Sequence, residues 1–109
     1  SRGENSAAIR ERVIKARLIQ TKRFEEHKGI YCNAHMHSKM LYTICKIDEA
    51  GEILLKNAMQ RLGLSARAYD RILKVARTIA DLESSINIEA NHLAEAIQYR
   101  SLDREGWAG

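Results

Sequence analysis

No proline occurs in this chain of 109 residues, and that absence most constrains what the chain can fold into. Proline lacks a backbone donor and clashes with the preceding turn, so it usually ends a helix. Alanine, leucine, isoleucine, arginine, lysine and glutamate dominate the composition, and none of them breaks a helix. The sequence therefore predicts an all-α fold, a small bundle of about five helices that forms one domain.

Apolar residues recur at helical spacing in five segments, and several of these begin at residues that suit a helix start. The first helix is predicted to be capped by Asn5 or Ser6 and to end near Glu26, and Ser38 opens a short second helix. Asp48 is predicted to cap a third helix that stops at Gly63. Ser65 caps the fourth helix, and residues 88–100 form the last. On the first helix Ile9, Val13, Ala16 and Ile19 or Gln20 are predicted to lie on one face and the Arg and Lys series on the other. The predicted inward positions of three further helices are Met40, Leu41, Ile44 and Cys45 on the second, Ile53, Leu54, Ala58 and Leu62 on the third, and Leu93, Ala94, Ile97 and Tyr99 on the last. On the fourth helix they are Ala68, Ile72, Val75, Ala76, Ile79 and Leu82, with Arg67, Arg71, Lys74, Thr78 and Asp81 on a polar stripe.

The positive charge of the chain is concentrated in residues 1–28, which hold eight basic and four acidic side chains, whereas residues 29–109 hold ten of each. A basic helix can bind phosphates by releasing counterions. The same pattern also occurs on a long exposed helix whose Lys and Arg side chains only form a solvated face. Phosphate binding and a solvated face therefore both remain possible explanations. The basic residues that we expect to contact DNA or a neighbouring domain are Arg10, Arg12, Arg17 and Lys22.

Two cysteines and two histidines, Cys32, His35, His37 and Cys45, are residue types that bind zinc. Their spacing matches no common zinc ribbon or finger, and Cys45 falls on the apolar face of its helix. We therefore expect a loop and a buried thiol here, with no bound metal. Two cysteines are also too few for a disulfide framework, which predicts reduced thiols.

Motifs for phosphoryl transfer and for nucleophilic catalysis are absent from the sequence. No GxxxxGK pattern followed by Ser or Thr occurs, and neither cysteine has an evident orienting partner. We therefore expect this chain not to be an enzyme by itself. It also has no apolar run of the ~20 residues that span a bilayer and no signal-peptide pattern, so we expect a cytoplasmic location without membrane contact.

The stretch GLSARAYDRILKVARTIADL, residues 63–82, places Arg67 in the first turn of the fourth helix. A helix N-terminus carries partial positive charge, so a cation there is opposed by roughly 0.3–1 kcal/mol. A solvated and tolerated arginine is one explanation. The other is an anion site, in which the guanidinium and the helix N–H groups bind a phosphate such as the γ-phosphate of ATP, with Arg71 as a second contact.

Two longer stretches, LSARAYDRILKVARTIADLE and IEANHLAEAIQYRSLDR, closely resemble the C-terminal region of bacterial magnesium-chelatase-like AAA+ ATPases. This group includes the competence-associated DNA branch-migration helicase. GENSAAIRERVIKAR looks like the helix that leads into that region, and CNAHM looks like the Asn-Ala-x-Met connector of the family. The resemblance covers about residues 3–107, although the family usually has Gln where His35 stands and Gly where Ser84 stands.

The resemblance implies the helical lid that follows the nucleotide-binding core in AAA+ proteins. Residues 1–104 would form this lid, with residues 1–28 as its basic first helix and residues 105–109 as a frayed tail. Arg67 would be the sensor 2 arginine that contacts ATP phosphates. The core, which carries the Walker motifs and binds ATP and Mg²⁺, would lie upstream of Ser1, as suits a chain that does not begin with Met.

The implied partners are the AAA+ core domain of the same polypeptide and neighbouring subunits of a ring, expected to be hexameric, with DNA as a further candidate. The implied function is to couple the nucleotide state to ring motion in DNA remodelling. The alternative is a free-standing helical module that binds nucleic acid or protein through the basic first helix. Insertion of a metal into a porphyrin, which the family name suggests, ranks last.

Overall fold

The computed structural model describes residues 5–102, with side chains described for residues 5–99, and confirms the all-α bundle. A 3₁₀ turn, Asn33–His35, separates the first two helices. The residues predicted as a tail, 105–109, lie outside the described residues. Within the described part of the chain no helix is long and apolar enough to cross a membrane. The helices are α1 Ser6–Arg23, α2 Ser38–Ile44, α3 Glu49–Leu62, α4 Ala66–Leu82 and α5 Ala90–Leu102.

Local side-chain caps start α1, α2, α3 and α4 where the sequence predicts. Asn5, Asp48 and Ser65 each accept a hydrogen bond from the backbone N–H three residues further on, at 2.8, 2.8 and 3.2 Å. α2 begins at Ser38, and the Nδ1 atom of the preceding His37 accepts from the N–H three residues on, at 3.3 Å. These bonds satisfy donors that a helix leaves unpaired at its N-terminus, so the starts are set locally.

α4 is the central helix of the bundle, because it contacts α1, α2, α5 and the 3₁₀ turn. Neighbours on several sides bury a wider surface than one apolar stripe. Leu73 and Ala80 are therefore buried together with two charged residues, Arg77 and Asp81. The prediction that Asp81 lies on an exposed polar stripe is wrong for this reason.

α3 and α5 approach each other closely at Gly51. A Cβ atom at this position would lie 2.8 Å from Cδ1 of Leu93, so the glycine permits the approach. The buried face of α3 is rotated from the predicted face. The prediction that Ile53 points inward is therefore wrong, since this residue is 54% exposed. Leu62 ends the helix and is also exposed. The buried positions of α3 are Gly51, Leu55 and Ala58.

α5 turns Leu93 and Ile97 into the core, as predicted, but the predictions for Ala94 and Tyr99 are wrong because both residues are exposed. Ala96 completes the buried stripe instead, since positions three and four residues apart share a helix face. An isolated parallel bridge between Ile47 and Ile88 joins the loops before α3 and α5.

Candidate functional site

The first turn of α4 presents Arg67 to solvent. Ser65 caps the N–H of Ala68, and the N–H groups of Ala66 and Arg67 precede the first helical hydrogen bonds. This turn contains no acidic residue, and Arg67 forms no ion pair with another described residue. An exposed guanidinium beside free helix N–H groups is an arrangement suited to an anionic oxygen such as that of a phosphate.

Arg71 lies one turn further along α4 and lines an open groove with a volume of about 1060 Å³. Arg12 of α1 and Lys74 of α4 line the same groove, which α5 also borders, and we term it the α1/α4/α5 groove. Lys74 donates from Nζ to the carbonyl oxygen of Ala34 at 3.2 Å. Arg67 does not line this groove, so the two arginines predicted to contact phosphate share a helix but not the groove.

The basic residues of α1 have different environments in the structure. Arg10, Arg17 and Lys22 are exposed, and Arg12 is exposed at the groove. Arg23, by contrast, is partly buried against α4, with 17% of its side chain exposed. The prediction that the Arg and Lys series of α1 lies opposite its apolar face is therefore wrong at Arg23, because α4 offers that residue a carboxylate. The prediction that Ile9 lies on the inward face is also wrong, since this residue is 42% exposed.

A buried polar network joins α1, the 3₁₀ turn and α4 around Asp81, whose side chain is 1% exposed. Arg23 donates from Nη2 to Oδ1 at 2.8 Å and from Nη1 to Oδ2 at 2.9 Å. Asn33 donates from Nδ2 to Oδ2 at 2.9 Å, and Arg77 donates from Nε to Oδ1 at 3.2 Å. These four residues are termed the Asp81 network. Each carboxylate oxygen accepts two hydrogen bonds, which compensates the buried charge.

Arg77 also closes the turn that follows α4. Its Nη1 donates to the carbonyl oxygen of Ile86 at 2.9 Å, and its Nη2 donates to that of Ser85 at 2.6 Å. Burial lowers the pKa of Arg77, whereas the charge of Asp81 acts in the opposite direction. Arg77 is therefore a structural cation that holds the path from α4 to α5.

The Asp81 network could not be found from the sequence alone. Arg77 and Asp81 are four residues apart on one helix, a spacing that suits an ion pair, and this was the one available signal. The other partners, Arg23 and Asn33, are 58 and 48 residues from Asp81 in the chain. No spacing rule connects residues at such separations, because only packing brings them together.

The four residues with zinc-binding side chains have other roles in the structure. Within the described residues, no group of three His, Cys, Asp or Glu side chains is arranged to hold a metal ion. His35 accepts at Nδ1 from the backbone N–H of Tyr31 at 3.1 Å, and His37 caps α2. Cys45 lies in the core, where burial raises its pKa to about 11, and both thiols are free. The expectation that no metal binds stays a prediction.

His92 is a further buried polar residue that the sequence analysis missed. Its Nδ1 accepts from the backbone N–H of Glu89 at 2.9 Å, so we assign the ring proton to Nε2, which lies 2.8 Å from Oε1 of Glu83. This pair ties the start of α5 to the residue that follows α4. Nothing in the sequence distinguishes this histidine from one on the surface.

Comparison with known proteins gives a family match over almost the whole chain. Residues 3–100 match the family described as magnesium chelatase, subunit ChlI C-terminal. The chain is 47% identical to competence protein ComM of Haemophilus influenzae over 94% of its length, and 42% identical to the uncharacterized protein YifB of Escherichia coli over 94%. It spans only 19% of the length of each of these two relatives. By this match, the chain belongs to the family of the C-terminal domain of magnesium chelatase subunit ChlI.

Proposed function

We propose that this chain is the helical lid of a magnesium-chelatase-like AAA+ ATPase and that Arg67 is its sensor 2 arginine. The observation that carries the proposal is the exposed position of Arg67, without an ion pair to any described residue, on the first turn of the central helix. Family membership supports the lid assignment. In this proposal residues 1–104 form the lid, and the ATPase core belongs to the remainder of a longer polypeptide.

Arg67 would supply positive charge to the γ-phosphate of ATP as the bond to that phosphate breaks. Such electrostatic stabilisation of a transition state is worth several kcal/mol in phosphoryl transfer. The free N–H groups at the start of α4 add their partial positive charge at the same place. Mg²⁺ would be held by the core domain.

The Asp81 network would transmit the effect of phosphate contact through the lid. It joins α4, which carries Arg67, to α1, which would lead into the lid from the core. Because a network with all its hydrogen bonds made is stiff, α1 and α4 would move as one body when the nucleotide state changes. This motion would couple ATP turnover to the ring.

Replacing Arg67 with alanine in the full-length ATPase tests the assignment. We expect Arg67→Ala to lower ATP turnover by more than tenfold, which corresponds to more than about 1.4 kcal/mol. The melting temperature of the lid should stay unchanged or rise slightly, because a cation leaves the helix N-terminus. Steady-state ATPase rates and thermal melts give the two readouts.

Arg71→Ala is the matched control for this experiment, since Arg71 lies on the same helix but lines the α1/α4/α5 groove instead. We expect a weaker loss of turnover from it. A normal rate for Arg67→Ala, or an equal loss from unfolding in both variants, would mean that Arg67 is only a solvated first-turn residue.

We further propose that the complete ATPase remodels DNA as a ring of subunits, expected to be hexameric, in the cytoplasm of a bacterium. The name of one relative, competence protein ComM, supports a function in competence. DNA could then contact other parts of the ATPase without touching the lid.

Direct binding of DNA by α1 is a second candidate function, which the exposure of Arg10, Arg17 and Lys22 favours. Fluorescence anisotropy with duplex and single-stranded DNA at two salt concentrations tests it. If the chain is only a lid, binding should be no tighter than the non-specific range of ~10⁻⁴–10⁻⁶ M at physiological salt. A dissociation constant well below that range, lost when the three residues are changed to alanine, would establish this second function.

A further inference from the structure

The α1/α4/α5 groove has an apolar floor with charges of opposite sign along α4. Val75, Ile79 and Leu82 form the floor, and these positions share one face of the helix. Lys74 lines the groove before them, and Glu83 lines it after them. At a rise of 1.5 Å per residue, Lys74 and Glu83 are about 14 Å apart along the helix axis.

α3 has an exposed face that complements this groove. Ile53 lies at its centre with 54% of its surface exposed, and Ile14 and Leu18 in the middle of α1 are exposed to a similar extent. Glu49 lies one turn before Ile53 and Lys56 one turn after it, and both are exposed. The two charges are about 11 Å apart along the axis, with the apolar residue between them.

We propose that the α1/α4/α5 groove binds the α3 face of a second copy of this chain. Ile53 of one copy would lie against Ile79 and its neighbours in the groove of the next. With the two helices parallel, Glu49 faces Lys74, and Lys56 faces Glu83. The difference of about 3 Å between the two charge spacings lies within the reach of lysine and glutamate side chains.

The pattern of charge favours this occupant over a nucleic acid. Glu83 and Glu95 line the groove together with Arg12, Arg71 and Lys74, so a continuous phosphate backbone would meet two carboxylates among the three cations. A helix with an acidic and a basic end meets an opposite charge at both places. Groove-binding helices commonly insert apolar residues in this way.

The proposed contact is head-to-tail, because the groove and the α3 face are different surfaces of the chain. Contacts of this type close into rings when the rotation between copies permits it. The inference rests on the proposed ring function only for its biological setting. It can fail without affecting that proposal, since the core domains could form a ring by themselves.

Charge reversal in the 109-residue chain tests the contact without ATP. Sedimentation velocity over increasing concentration measures self-association. We expect the unchanged chain to associate, and both Glu49→Lys and Lys74→Glu to weaken association at least tenfold. The combination of the two in one chain should restore it, because Lys at position 49 then faces Glu at position 74 of the next copy.

Lys39→Glu is the matched control, since Lys39 is exposed on α2 and does not line the groove. It should leave association unchanged, and circular dichroism verifies that every variant is folded. A chain that stays monomeric at millimolar concentration would overturn the proposal, as would a double variant that associates no better than either single one. Tight binding of a single-stranded oligonucleotide that Lys74→Glu abolishes would place nucleic acid in the groove instead and overturn it.

Discussion

Arg23 and Asp81 join α1 to α4 through two parallel hydrogen bonds of 2.8 and 2.9 Å, and Arg77 contacts the same carboxylate from within α4. Asparagine at position 81 would remove the charge that neutralises Arg23 and Arg77. Since Arg77 is only 4% exposed, its charge would then be buried without a neutralising partner. We expect Asp81→Asn to lower the free energy of unfolding by about 3 kcal/mol or more, as is typical when one partner of a buried ion pair is removed. Urea denaturation measures this change.

Asp70→Asn provides the control for Asp81→Asn on the same helix. Asp70 accepts hydrogen bonds from Ser38 and Tyr42 at 2.8 and 2.6 Å, but near the surface. Since water can replace these partners, we expect a loss of only about 1 kcal/mol. An equal loss of unfolding free energy in the two variants would show that burial does not increase the contribution of the Asp81 network to stability.

The buried thiol of Cys45 should make the domain less stable in alkaline solution. Burial raises the pKa of Cys45 from 9.0 to about 11, although the charges of Arg77 and Arg23 act in the opposite direction. Between these two values the unfolded thiol has lost its proton while the folded thiol retains it. The free energy of unfolding should therefore be at its full value below the lower pKa and fall as the pH rises through this window.

Thermal melts across this pH window, with Cys45→Ala as the comparison, test the prediction. Tyr42 and Tyr69 also have raised pKa values, and they contribute to both proteins equally. The wild-type chain should lose more stability with rising pH than the variant. Parallel curves would contradict the prediction.

Ser84 has a φ angle of 57°, a left-handed conformation that costs a residue with a Cβ atom roughly 1–2 kcal/mol. Glycine adopts this conformation without that cost but loses more entropy on folding, by roughly 0.5–1 kcal/mol. We therefore expect Ser84→Gly to raise the free energy of unfolding by about 0.5–1 kcal/mol, measured by urea denaturation.

Gly63→Ser is the reverse experiment. Gly63 ends α3 with a φ angle of 61°, and a Cβ atom there would have no neighbour within 4 Å, so its effect isolates the backbone cost. We expect a loss of about 1 kcal/mol. A gain from Gly63→Ser, or a loss from Ser84→Gly, would show that the local conformation does not control stability at these turns.

Removal of metal ions should leave the domain folded. His35 and His37 already accept backbone hydrogen bonds, and Cys45 packs in the core, so these residues stabilise the fold without a ligand. Far-UV circular dichroism with and without a chelator measures this. A drop in helicity or in the cooperativity of melting after chelation would contradict this prediction and support a zinc site at these residues.

Three helix starts and the end of α3 were predictable from the sequence because capping is a local interaction, whereas α1 ends at Arg23 instead of near Glu26 and α5 begins at Ala90 instead of residue 88. Asn5, Asp48 and Ser65 each bond to a backbone group three residues away, and Gly63 adopts the left-handed conformation that glycine favours. The position of Arg67 on the first turn of α4 follows from the cap at Ser65. The sequence by itself therefore determined the fold class, the starts of the capped helices and the placement of Arg67 on the first turn of α4.

Only the tertiary structure decided which charged residues are buried and which apolar ones are exposed. Arg77 and Asp81 have the spacing of a surface ion pair, but α4 lies at the centre of the bundle and Arg23 reaches it from α1. Ile53 looks like a core residue, yet α3 packs through the face that carries Gly51. Burial depends on the neighbours of a helix, and contacts between residues tens of positions apart arise only when the helices pack.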